Sequence, residues 1–431
     1  MMTLLGIVIF FVGILISVAW HELGHFTTAR WFGIKVPEFM VGFGRTLWSR
    51  RVGETEFGLK AIPLGGYIRM IGMIPPAPGT GTLGRSRRTG PFQGLMDDAR
   101  RQSAMDVRPE DAHRQFYLRA PWKRVIVMFA GPFMNLILAV VLFAIVLMGF
   151  GVPTYVPTVF EVSKCVLPAT ASNAAATECP PGAPLTPAAE AGFRPGDRIV
   201  AFDGQPYAEW RDLQEAIRGA SGTVTVTVER DGQLLDLAPT LITTQLRDLD
   251  DGETLVDASF LGLSPLRVVE RQDLPAVADQ IGTVISRTGE AIVQLPSRVP
   301  ALFGAVFLGE ERDVNGPVGV VGVSRIGGEI LAQDIPVGQE IAFFLQLLAA
   351  VNISLFLFNL LPIPPLDGGQ IFPAIWEAIK KRIARLRGRP DPGPVDVAKL
   401  MPVAYVVALV FIAWSGLLLV ADVINPVRLF Q

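Results

Sequence analysis

Histidine and cysteine are scarce in this 431-residue chain, which has three of the first and two of the second. So few ligating side chains make a poor metal-translocation pathway, and no inverted repeat of the kind transporters use is visible. A basic excess is missing too: the formal net charge is −2, which argues against a general nucleic-acid binder. Charge itself is absent from four long runs. Leu4–Ala19, Val125–Val152, Ile341–Leu366 and Pro402–Ala421 hold no Asp, Glu, Lys or Arg, and the second is 28 residues long. That is enough to cross a bilayer with some tilt. The runs lack the ten-residue alternation of a membrane barrel, so helices are expected, because a backbone in lipid must satisfy its own polar groups. Around the first run a basic leader and a small-x-small cleavage site are also missing, and it reads as a retained helix rather than a secretory signal.

What charge there is falls unevenly. Arg30–Arg124 holds 17 basic against 8 acidic residues, Pro373–Lys399 holds 7 against 3, and Gly151–Glu340 reverses the balance with 13 against 26. The excess of Lys and Arg predicts that the first two segments face the cytosol, with the third segment and both termini outside, in the plasma membrane. Both cysteines, Cys165 and Cys179, lie in the outward segment, where an oxidising compartment favours a disulfide; two unrelated buried thiols are the blander alternative.

Between the first two runs, Gly53–Met70 reads as strand, turn, strand, with Thr55, Phe57, Leu59 and Ala61 alternating and Pro63-Leu64-Gly65-Gly66-Tyr67 as the turn. Pro75–His113, rich in Gly, Pro, Arg and Ser, reads as a mostly disordered insertion with His113 a solvated loop histidine. Asp273–Phe307 has helical spacing of apolar residues and is expected on the membrane surface, packed beneath the outward α/β domain, or as an ordinary core helix.

The chemistry concentrates in one motif. His21 and His25 in His21-Glu22-Leu23-Gly24-His25 stand four apart, so a helix stacks them on one face, where two imidazoles can share Zn²⁺ while Glu22 reaches toward the metal's water. With so few histidines, HExxH would arise by chance in roughly one such sequence in a thousand. Two histidines and a glutamate at a span end are costly in lipid, which marks a functional site. Catalytic zinc usually has three protein ligands, and Asp367 is the candidate third, being the only acid between Glu340 and Glu377. It could instead cap the helix that follows. The predicted topology brings the ends of the first and third spans to similar depth.

HELGH, Gly131-Pro132-Phe133-Met134-Asn135, the Pro-Leu-Gly-Gly-Tyr loop, Asn359-x-x-Pro-x-Pro-x-Leu-Asp367-Gly-Gly and the closing Asn425-Pro426-Val427-Arg428-Leu429-Phe430 together resemble the bacterial site-2 proteases, of the type that regulates sigma-E, nearest to the actinobacterial branch. The mixed α/β stretch from about Val156 to Pro265, with a small-residue helix, glycine turn, strand and second turn over Ala188–Gly204, a helix at Trp210–Gly219 and an alternating strand at Thr223–Arg230, resembles a PDZ domain. The resemblance implies an α-helical membrane protein with four transmembrane helices, a cytosol-side β-hairpin and an extracytoplasmic α/β PDZ domain. It implies zinc on His21, His25 and Asp367, with Glu22 as general base. Asn359 would hold the substrate backbone or oxyanion, while Gly65 and Gly66 would present a strand edge to substrate. Asn135 would touch substrate or pack the spans. Two positions depart from the family pattern, Gln370 where relatives have His and Ser354 where they have Asn, and both bear on the substrate clamp.

The expected segments are 1–29 with HExxH, 30–74 the hairpin, 75–120 the insertion, 121–152 the second span and 153–265 the PDZ domain. An amphipathic region follows at 266–340, then the third span at 341–372, a cytosolic loop at 373–400, and the fourth span with its tail at 401–431. The implied reaction is intramembrane proteolysis of single-pass proteins. By resemblance their class is anti-sigma factors already cut by a site-1 protease, with remnant signal peptides second. Three rivals are weaker. A silent PDZ scaffold would have no need of Glu22 and Asp367, a carrier lacks ligands, and a serine-type protease lacks a free membrane histidine.

Overall fold

The computed structural model describes residues 2–76, 93–105, 107–166, 179, 182–249, 254–310, 312–313, 316–330 and 336–427. They form two compact units, one of residues 1–150 and 273–431 and the other of Gly151–Gln272.

The first unit is helical around one sheet. Among the described residues four helices are long and apolar enough to cross a membrane: Leu5–Trp31, Pro121–Phe150, Val337–Leu360 and Val397–Ile424. They belong to α1 (Met2–Trp31), α3 (Pro121–Ala144, continued by a π-helical turn at Ile145–Phe150), α8 (Val337–Leu360) and α10 (Met401–Ile424). Between α1 and α3 lie β1 (Glu38–Val52), β2 (Thr55–Arg69) and α2 (Gln93–Met105). Helices α6 (Leu274–Phe307) and α7 (Val320–Ile330) precede α8, and α9 (Gly368–Leu386) links it to α10. Asp273 caps α6 by accepting from the Ala276 amide, which explains why the apolar pattern begins there.

Small residues bring α1 and α3 together. A Cβ on Gly24 would sit 2.7 Å from Met134 Cγ and overlap the Ala130 carbonyl. Such close approach is how helices gain packing where lipid gives no hydrophobic drive.

The sheet differs from the expected hairpin. Its turn is at Gly53-Glu54, and the Pro63–Tyr67 stretch lies inside β2. Each strand pairs twice: Arg50 opposes Phe57 and Val52 opposes Thr55, while Glu38 opposes both Glu56 and Arg69, and Met40 both Gly58 and Tyr67. Glycines at positive φ (Gly42, Gly44 and Gly65) let the strands bend back, a signal that reads in sequence as a turn.

The expected disorder over 75–120 is also corrected where the chain is described; residues 77–92 and 106 lie outside the described residues. Residues 93–105 form α2, and two 3-10 turns follow at Pro109–Arg114 and Phe116–Leu118. Among the described residues of this stretch several charges are paired. Lys35 binds Asp111 at 2.5 Å, and Arg114 binds Glu54 at 2.7 Å. Arg100 of α2 reaches Asp396 at 2.7 Å. The Lys35 hydrogen bond holds Asp111 below the usual carboxylate range, and the Arg114 bond does the same for Glu54. Phe116 is buried with Ala29, Ile34, Val36 and Val127, while His113 is exposed.

The second unit holds β3 (Val152–Val162), α4 (Pro187–Glu190), β4 (Arg198–Phe202), β5 (Gln205–Pro206), α5 (Trp210–Gly219), β6 (Val226–Arg230), β7 (Gln233–Leu237), β8 (Ile242–Arg247), β9 (Leu255–Phe260) and β10 (Leu263–Glu270). One sheet runs β10-β3-β4-β6-β7 with β5 beside β4, and β8 pairs β9 separately. Phe193, Ile199, Phe202, Trp210, Leu213, Val226 and Val228 fill its core. Strand β10 continues to Glu270, so this unit extends beyond the expected boundary at 265. Cys165 and Cys179 form a disulfide.

Candidate metal centre

Helix α1 carries His21, Glu22 and His25 in the part of the chain packed against α3 and β2. All three are buried, with 9, 9 and 4% of their surface exposed. The two Nε2 atoms face each other at 3.1 Å. Asp367 closes a triangle with them, its Oδ2 lying 3.1 Å from His21 Nε2 and 3.3 Å from His25 Nε2. Asp367 stands at the N-cap of α9, yet its side chain accepts no capping hydrogen bond.

The turn that delivers Asp367 depends on its glycines. A Cβ on Gly369 would lie 2.5 Å from Pro364 N, and one on Gly368 would overlap the Leu361 carbonyl. Only glycine lets α9 start this close to the end of α8.

The residues fit zinc. Two imidazole nitrogens and a carboxylate oxygen form a borderline donor set, and a tetrahedral site with bonds of about 2.0–2.1 Å has edges of about 3.3 Å. The observed separations of 3.1, 3.1 and 3.3 Å match those edges. Asp367 Oδ2 is buried with no hydrogen-bond donor of its own, a carboxylate oxygen that a cation would satisfy. Space has been kept as well, since a Cβ on Gly131 of α3 would lie 2.7 Å from His21 Nε2 and overlap His25 Nε2.

Helix α3 also orients the imidazoles. The Val127 carbonyl lies 2.7 Å from His25 Nδ1 and accepts its proton, which bares Nε2. Asn135 Nδ2 lies 3.1 Å from His21 Nδ1, while Asn135 Oδ1 is buried without a partner. A half-turn of the amide exchanges two nearly indistinguishable groups. Oδ1 then accepts from Nδ1–H, the orphan disappears and His21 Nε2 is bared in turn. Val127, Gly131 and Asn135 are four apart on α3, so they line one face opposite the four-residue spacing of His25 and His21 on α1.

Glu22 faces the strand. The Ile68 amide is directed at its carboxylate, and a Cβ on Gly66 would lie 3.2 Å from Glu22 Cγ. Gly65 has φ +106 and lies under the Phe43 ring. Asn359, one residue before the end of α8, is half-buried, and its side chain makes no hydrogen bond among the described residues. A polar link nearby was not foreseen from sequence: Asn352 of α8 donates to Ser17 Oγ at 2.9 Å, one turn before His21 on α1.

Comparison with known proteins agrees in kind. Residues 9–391 match the family described as Peptidase family M50. The chain is 36% identical to Zinc metalloprotease Rip1 of Mycobacterium tuberculosis and 34% identical to that of Mycolicibacterium smegmatis, each over the whole of both chains. It is 28% identical to Metalloprotease MmpA of Caulobacter vibrioides over 89% of this chain and 90% of the relative.

Proposed function

Because the chain belongs to peptidase family M50, the site-2 proteases, we propose that this zinc metalloprotease of the membrane cuts single-pass membrane proteins within or near their spanning segment. The observation that carries the reading is the buried triangle of His21, His25 and Asp367 beside Glu22 and the edge of β2.

His21, His25 and Asp367 would hold a zinc ion, which when bound would supply Lewis acidity to a water and to the scissile carbonyl. Glu22 accepts the proton of the attacking water and returns it to the amine nitrogen as the carbon–nitrogen bond breaks. Asn135 and the Val127 carbonyl fix the two imidazoles by their Nδ1 positions. Asn359, at the end of α8, is the amide available to the oxyanion or the substrate backbone. A helix shields its own peptide bonds, so substrate must be extended before it is cut. Strand β2, running past Glu22 at Gly65 and Gly66, offers the edge that keeps it extended.

The unit 151–272 supports a PDZ reading, since β10 lies at a sheet edge and pairs only with β3 among the described residues. It would dock or filter substrate outside the cytosol, with both termini outside and the catalytic centre toward the cytosolic side of the plasma membrane. Anti-sigma factors shortened by a site-1 protease are the proposed substrate class, and remnant signal peptides the second.

The test is cleavage of a truncated single-pass substrate by the full chain in detergent, with Glu22→Gln at matched amounts. The reading expects cleavage by the wild type alone. Equal cleavage by both forms would remove Glu22 as the base.

A further inference from the structure

Helix α9 carries an apolar face that no other part of the described chain covers. Phe372, Ile375, Trp376, Ile379, Ile383 and Leu386 are 43–79% exposed. At 100° per residue they fall in a sector of about 100°. The opposite side is fixed to the protein: Pro373, Ala374 and Glu377 are buried, and Glu377 binds Arg124 of α3 at 2.6 Å and Lys381 at 3.0 Å. The second half of the helix and its exit are basic. Lys380, Arg382, Arg385, Arg387 and Arg389 are exposed, and none makes an ion pair among the described residues. Lys380 and Arg382 flank the apolar sector on either side, with Lys380 over the Trp376 ring at 5.8 Å. The only acid of α9 is the buried Glu377.

We propose that this face of α9 is a binding surface for anionic phospholipid, with the apolar residues in the acyl chains and the five basic side chains on the headgroup phosphates. Depth supports it. Glu377 is held by Arg124, in the first turn of α3, where the charge-free run of the second span begins. Glu377 therefore sits at the level of that span end, and the basic residues 380–389 follow it along the chain. Long basic stems can lie along the acyl region while their charges reach phosphate. A zwitterionic surface would satisfy the apolar face alone; an unpaired basic flank without acids selects net negative charge. The inference needs the chain to sit in a membrane, but it does not rest on proteolysis.

The test uses the full chain in phosphatidylcholine bilayers with spin-labelled phosphatidylglycerol or spin-labelled phosphatidylcholine, read as the fraction of label immobilised by the protein. The wild type is expected to prefer labelled phosphatidylglycerol. The quintuple variant Lys380→Gln, Arg382→Gln, Arg385→Gln, Arg387→Gln, Arg389→Gln should lose about fivefold or more of that preference, the factor of one surface cation at an anionic membrane. Added salt should weaken the wild-type preference in the same bilayers, a readout independent of how the variant folds. The control pair Arg50→Gln, Arg51→Gln should keep it. Unchanged selectivity in the quintuple variant, or a wild type indifferent to salt, would overturn the proposal. So would quantitative chain-to-chain cross-linking through Trp376→Cys, because a second copy would then cover this face.

Discussion

Asn135 sits on the face of α3 that meets His21 of α1. It lies fully buried beside His21 Nδ1. Removing a partner of this kind typically weakens metal binding by about 10–100-fold. Asn135→Leu is therefore expected to lose zinc to a chelator at about 10–100-fold lower concentration, while Asn135→Asp, which still accepts from Nδ1–H, keeps it. Equal retention by all three forms would return Asn135 to a packing role. Gly131→Ala makes a second prediction, since the added methyl would occupy the space between the two Nε2 atoms. Zinc content should fall well below one per chain while thermal unfolding changes little. At this scale HELGH and Asp367 were legible because each residue type is rare where it occurs. Val127 was not, and Gly131 and Asn135 stood out only through the family motif, because a carbonyl, a missing Cβ and an amide on an apolar helix carry a specific role only once the partner helix is known.

Among the elements, the four apolar helices were readable from charge-free length alone, and their ends moved by several residues because the helices continue into polar sequence, as α1 does to Trp31. Helix α2 and the 3-10 turns were hidden for the opposite reason, polarity that folding pairs off. A buried pair at the far end of the chain was equally silent. Arg312 binds Asp422 of α10 at 2.8 Å, both nearly inaccessible, and Asp422 also accepts from the Gly322 amide at 2.8 Å. Arg312→Leu leaves that carboxylate buried without its cation, a change that costs about 3–5 kcal/mol, to be seen as a lower unfolding temperature in detergent. Asp197 in the second unit predicts a pH dependence. Burial raises its pKa, but the hydrogen bonds from Arg230 and the Arg194 amide, together with the positive charges of both arginines, outweigh this and hold it below the ordinary carboxylate value. A depressed carboxylate stabilises the fold above its unfolded pKa of about 3.9 and loses that contribution as pH falls through the folded value. The 151–272 unit should therefore melt at falling temperature below about pH 4, and Asp197→Asn should flatten that fall.

Across the whole molecule, the chain joins a membrane-spanning helical unit to a second unit with its own core and a disulfide. The family and the division into spans and an acidic middle region followed from sequence, since hydropathy and charge asymmetry are properties of long segments. The bend of β1 against β2 did not, because strand glycines read as turns until their pairing is seen. Reducing the Cys165–Cys179 bridge, or replacing both by Ser, should cost the second unit about 3 kcal/mol for a loop of this length, measured by denaturant unfolding of that unit. Three side chains from two distant parts of the chain, His21, His25 and Asp367, meet at one site. The direct measurement is zinc per chain in the purified full-length protein, compared among wild type, Glu22→Gln, His21→Ala and Asp367→Ala. The account predicts about one zinc in the first two, as one three-ligand site requires, and loss of zinc in the last two. Wild-type zinc content in Asp367→Ala would contradict it.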